Sequence, residues 1–266
     1  MTKRSFLCCV LSLCIVLLSG CSYAAPPLMD VSKETANPSQ PSSDRVIYHT
    51  QKGKLTRESV EDTVTVFTEN VEKSDIHTDV YMEAKLNGKS LMYELGDWEV
   101  HVLQNGGLFL ADLNGDGADE IVLFMEVTGN GGAIAQVFKV EENEIALLYD
   151  LNEVDIGLET IYKDGYIMCL ENASVGFSET IDIEKEFGVE HFDKNGKFTG
   201  SSEVFFNPIN SGFVEPLTNG EYPTISCKRY IRLTNYLGEL ETTFRYDSEL
   251  ESLALIRMDF EAKVFG

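Results

Sequence analysis

Gly107-Leu108-Phe109-Leu110-Ala111, then Asp112-Leu113-Asn114-Gly115-Asp116-Gly117-Ala118-Asp119-Glu120, then Ile121-Val122-Leu123-Phe124-Met125: two apolar runs enclose an acidic, glycine-bearing loop. Apolar runs of this length, bounded by turn residues, read as strands rather than helices. Within the loop, oxygen-bearing side chains stand at positions one, three, five and nine, with Gly117 at position six. Calcium is a hard cation that takes about six to eight oxygen ligands. A short loop wraps it only if alternate side chains turn inward and the chain turns sharply. Gly117 permits that turn, and Gly115 leaves room for the tight path. An EF-hand is set aside on two grounds. Its twelfth position requires a bidentate Glu, and here that position is Leu123; its flanks are helices, and here they are strand-length.

Outward from this hairpin the same texture continues. Leu86-Asn87-Gly88-Lys89 separates two alternating runs, Val80–Ala84 and Ser90–Tyr93, which is the signature of a two-residue hairpin. Lys163-Asp164-Gly165-Tyr166 and Lys194-Asn195-Gly196-Lys197 give similar turns. Gln136–Val140 and Glu144–Tyr149 flank a Glu-Glu-Asn turn, and Tyr230–Leu233, Thr242–Tyr246 and Ala254–Phe260 read as a meander. Val60, Val64, Phe67 and Val71 fall at helical spacing. The β-branched density of Thr63–Thr68 favours a strand over a helical element at 57–72. No long helix is evident elsewhere, so alternating β-α-β units are not expected. The expectation for residues 46–266 is one antiparallel all-β domain, either an irregular propeller-like arrangement or packed sheets.

The flanking loop now carries a family resemblance. Between two strands, Asp112-x-Asn114-x-Asp116-Gly117 resembles the calcium loops of FG-GAP and VCBS-type repeats, over roughly residues 108–127. The resemblance implies calcium ligands at Asp112, Asn114, Asp116, Ala118 by its carbonyl, and Glu120, with Asp119 pointing outward. The implied role is structural. One such loop occurs here, where the family usually carries several; Asp193-Lys194-Asn195-Gly196-Lys197 matches in part but puts Lys197 at a ligand position.

The N-terminus reads separately. Lys3 and Arg4 precede an apolar run, Phe6 to Leu18, that is short for a membrane span. The run ends in Leu18-Ser19-Gly20-Cys21, which resembles the bacterial lipobox. The resemblance implies removal of a signal peptide at 1–20 and a diacylglyceryl group on Cys21, hence a bacterial membrane-anchored protein facing outside the cytoplasm. Residues 21–45 then form a flexible linker: four of the seven prolines fall there, with Asn37, Ser39, Ser42 and Ser43, a composition that cannot bury enough apolar surface to fold. Cys8, Cys9 and Cys14 belong to the signal. Cys169 and Cys227 remain in the body, where export permits a disulfide but two thiols in separate strands are more often simply buried.

The charge is strongly acidic, with 21 Lys and Arg against 44 Asp and Glu and a net −23. That disfavours nucleic acid and anionic lipid surfaces as partners and favours solubility and cation attraction. The four histidines, His49, His77, His101 and His191, are widely separated. No His-Glu-x-x-His, Gly-x-Ser-x-Gly or Gly-x-x-x-x-Gly-Lys-Ser/Thr pattern occurs. Thr128-Gly129-Asn130-Gly131-Gly132 lacks a following lysine and reads as a hairpin loop. Asp97-Trp98-Glu99 places two carboxylates beside the single tryptophan, a pairing that glycosidases use. The expected function is therefore a calcium-stabilised, surface-tethered binding domain for an extracellular protein or glycan. The alternatives are a secreted hydrolase and a carbohydrate-binding module using Trp98.

Overall fold

The structure is a computed structural model; it describes residues 45–69, 78–98, 106–127, 132–183, 192–200, 204–216, 221–233 and 236–263. The signal and linker expected at 1–44, Cys21 included, lie outside these residues. Among the described residues every regular element is a strand.

Fifteen strands form four antiparallel meanders. Sheet 1 comprises β1 (Val46–Gly53), β2 (Asp62–Thr68), β3 (Thr78–Leu86) and β4 (Lys89–Trp98). Sheet 2 comprises β5 (Gly107–Ala111), β6 (Glu120–Val127), β7 (Gly132–Glu141) and β8 (Glu144–Asp150). Sheet 3 holds β9 (Glu159–Lys163), β10 (Ile167–Asn172) and β11 (Phe177–Asp182). Sheet 4 holds β12 (Phe205–Glu215), β13 (Thr224–Arg232), β14 (Tyr236–Asp247) and β15 (Ser252–Ala262). In each sheet, chain neighbours are also sheet neighbours, the natural outcome of short turns between antiparallel strands. The Asn87-Gly88 turn has both residues at positive φ, 48° and 84°, as a primed two-residue turn requires.

β6 explains how the sheets assemble. Ile121 through Met125 are all fully buried. Successive side chains of a strand point to opposite faces, so a run without polar interruptions needs cover on both. Ile121, Leu123 and Met125 join a core with Val64, Val66, Val80, Met82 and Ala84 of sheet 1. Val122 and Phe124 join a second core with Met168 and Leu170 of sheet 3 and Ile225, Cys227, Leu240 and Phe244 of sheet 4. Sheet 2 is thus packed on both faces, the packed-sheet alternative. Each meander has the up-and-down order of a propeller blade, and no sheet closes into a barrel.

The 57–72 ambiguity resolves in favour of strand. Asp62, Val64, Val66 and Thr68 are buried on alternate positions of β2, while Val60, which completed the helical spacing, is 96% exposed. Cys169 and Cys227 are both free and buried in different sheets, so they form no disulfide. Burial pushes the Cys227 thiol up to about 12, which leaves it an inert apolar group.

Candidate metal centre

The β5–β6 connection brings all five sequence-predicted ligand residues into one loop, with Asp112 just after β5 and Glu120 opening β6. Gly115 and Gly117 adopt φ of 75° and 89°, the left-handed conformations a tight coil needs. The side chains fold back on the loop's own amides. Asp112 Oδ1 and Oδ2 accept from the N–H groups of Asp116 and Gly117, at 3.0 and 2.9 Å. Asn114 Oδ1 accepts from Asp116 N–H at 2.8 Å, and Asp116 Oδ1 from Ala118 N–H at 2.9 Å. Glu120 Oε2 accepts from Leu113 N–H at 2.9 Å, and Oε1 from Asn114 Nδ2 at 2.8 Å.

The electrostatics centre on Glu120. The residue is 5% exposed, and its carboxyl is pushed up to about 7. Burial is the main cause, opposed by the Leu113 amide and reinforced by the nearby Asp116 and Asp112 charges. Among the described residues Arg57 is paired to the loop: its guanidinium meets Asp116 Oδ2 at 3.3 Å from an exposed position. Such an exposed pair contributes little, and the Lys139 ammonium, which also feels the Glu120 charge, leaves the Glu120 carboxyl still raised.

The donor set suits a hard cation. It offers carboxylate, amide and carbonyl oxygens, it has no nitrogen or thiolate ligand, and each carboxylate oxygen bonded to an amide keeps a second lone pair. With the side chains turned onto the loop amides, no three Asp, Glu, His or Cys side chains among the described residues gather at one point as a metal-holding group. A cation would have to draw the acids inward from this arrangement.

Two contacts of the loop have no counterpart in the sequence pattern. Asp119 does not point to solvent. Its carboxylate accepts from Lys54 N–H at 2.6 Å, and its own N–H donates to Lys54 carbonyl at 2.6 Å. This closed pair fastens the loop to the end of β1, in sheet 1. On the other side the Tyr222 ring lies over Gly115 so closely that a Cβ there would come within 2.6 Å of Tyr222 Cε1. Lys54 and Tyr222 are far from the loop in the chain, and no local pattern announces either. We expect Asp119→Ala to cost about 1–2 kcal/mol by stranding the Lys54 amide. It should leave any calcium response of the melting curve intact, because Asp119 faces away from the loop's oxygens. Denaturant unfolding of the variant with and without calcium checks both halves.

Most of the remaining candidates fall outside the described residues. Asp97 and Trp98 end β4, where their backbones pair with Asp79 and Thr78. Their side chains, with Glu99, lie outside the described residues. So do residues 128–131 of the glycine-rich loop, and His77, His101 and His191. His49, half-buried on β1, has its pKa lowered by burial. The Asp193 turn is held by its own carboxylate, which accepts from the Asn195 and Lys197 amides.

No family model and no solved structure matches the chain. Over 219 residues it is 21% identical to the uncharacterized protein YybI of Bacillus subtilis (strain 168), an alignment that spans 79% of this chain and 83% of that protein.

Proposed function

We propose that this chain is a lipid-anchored extracytoplasmic binding protein whose β-domain is braced by one calcium ion in the Asp112–Glu120 loop. The observation that carries the calcium reading is Glu120: a buried carboxylate beside two further acids, in a coil of oxygen donors, whose carboxyl is pushed up to about 7. Asp112, Asn114, Asp116, the Ala118 carbonyl and Glu120 would hold the ion. Its contribution is structural, because the loop is tied to sheet 1 through Lys54 and to sheet 4 through Tyr222. A cation there would stiffen three sheets at once. The similarity of Leu18-Ser19-Gly20-Cys21 to a lipobox supports the anchor. The acidic surface supports an exported, soluble body rather than one that seeks nucleic acid.

Calorimetry with calcium alone tests the loop. A dissociation constant of about 10⁻⁴ to 10⁻³ M is expected, the range of extracellular modules. At ten times that concentration the fold gains about 1.4 kcal/mol, a shift of a few degrees in the melting midpoint. Asp116→Ala should abolish the heat and the shift. An unchanged melting curve up to several millimolar calcium would leave an acidic turn without a metal. The anchor has its own test: Cys21→Ala should move the protein from the membrane fraction to the soluble fraction or leave it unprocessed, since a diacylglyceryl group supplies the two chains that firm anchoring needs. Mass spectrometry that finds no lipid on Cys21 defeats that part alone.

A further inference from the structure

We propose that the cleft lined by Tyr222, which precedes β13, and Tyr246 of β14 binds an uncharged saccharide. This deepens the reading of the body as a binding domain and rests on it. The cleft measures about 560 Å³; Tyr222, Tyr246 and Ile256 give its apolar lining, and Glu221, Asp247 and Glu249 outnumber Arg245 in its charged lining. A second recess of about 410 Å³ shares Glu221, Tyr222, Arg245 and Ile256 and runs on past Pro216 and Thr224. The two recesses share these lining residues, and each falls within the size range of ligand sites.

Its chemistry selects the ligand. The Tyr222 and Tyr246 rings meet edge to face, centroids 5.8 Å apart at 85°, so they touch each other and present surfaces in two directions to a ring lying along them. Ile256, 37% exposed, adds apolar surface to the floor. Arg245 Nη1 lies 2.7 Å from Glu221 Oε2. A guanidinium already paired with a carboxylate offers directional donors and acceptors while the pair carries no net charge. Adjacent hydroxyls can use both members of such a pair. An anionic ligand would meet an arginine already paired with Glu221 and be repelled by the Asp247 and Glu249 carboxylates, which can instead accept from the hydroxyls of an uncharged sugar. A pyranose, with apolar C–H faces and a hydroxyl rim, matches aromatic walls and a paired rim together. The cleft shares Tyr222 with the Asp112–Glu120 loop, so the loop backs one wall.

The test uses the purified lipid-free chain on a glycan array carrying neutral hexose and N-acetylhexosamine oligomers beside sialylated and uronic-acid glycans, with a set of acidic and basic peptides. Neutral oligosaccharides should be retained. Tyr246→Ala should weaken that binding at least tenfold, and Ile256→Arg, at an exposed position that threatens no packing, should do the same with an unchanged melting curve. Both variants should keep the calorimetric response to calcium alone, so failure of the cleft and failure of the metal loop read out separately. Retention of charged glycans or peptides only, no binding at all, or neutral binding that survives Ile256→Arg overturns the proposal.

Discussion

Phe124→Ala should destabilise the body by about 3–5 kcal/mol, the usual range for emptying a fully buried aromatic site. Phe124 is wholly buried on β6, meets Phe109 edge to face at 6.2 Å, and is pressed against the backbone of β12 at Gly212. A Cβ at Gly212 would run into three atoms of the Phe124 ring. At Gly212 sheet 4 approaches sheet 2 closely, and a glycine is there because the ring occupies the side-chain volume. Gly212→Val should cost about 3 kcal/mol by overpacking. The informative variant is the pair. Gly212→Ala with Phe124→Leu should be less destabilised than the sum of the two single changes, since the smaller side chain vacates the space the methyl needs. Urea unfolding of the four proteins measures this coupling. Strict additivity would mean that β12 does not rest on Phe124.

That contact also marks the limit of what the sequence discloses. Ile121–Met125 announced a strand buried on both faces, because five apolar residues in succession leave no side for water. Asn87-Gly88 announced its turn, because few other pairs tolerate positive φ twice. The Asp112 loop was legible for the same reason: its donors and glycines are local. β12 was not legible. Pro208 breaks its alternation, and the ladder slips at Phe206/Ile209 and again at Ile209/Ser211, so no period of two survives in the letters. Val60 misled in the opposite direction: it fits a helical spacing and sits in solvent. Tyr222 over Gly115, and Lys54 against Asp119, are contacts between segments that only the packed sheets bring together, and composition holds no record of them. The candidate site was therefore readable as a loop and unreadable as a junction of sheets.

Glu120→Gln should reverse sign with calcium. In the calcium-free protein the Glu120 carboxyl titrates near 7 rather than at its ordinary 4.5, so the folded state binds its proton more tightly than the unfolded state does. A raised carboxyl opposes folding when ionised. The penalty is absent below about pH 4.5, where the group is neutral in both states, grows as pH rises, and is complete above about pH 7, where it reaches at most roughly 3 kcal/mol. Gln carries no such penalty. It cannot reproduce both acceptor contacts of the carboxylate, to Leu113 N–H and Asn114 Nδ2, and that loss of about 1 kcal/mol is the same at every pH. The difference in stability between Glu120→Gln and the parent should therefore start slightly unfavourable near pH 4.5. It should climb by roughly 2–3 kcal/mol in favour of the variant by pH 8. Calcium should turn this around at pH 8: the parent gains stability because the ion takes the place of the proton, and the variant, one carboxylate short, gains little. Paired melting curves at pH 5 and pH 8, with calcium and with chelator, separate the terms. A difference that stays flat with pH would show Glu120 to be ordinarily acidic and its neighbours too distant to matter, and the buried, raised carboxyl that calls for a cation would be gone with it.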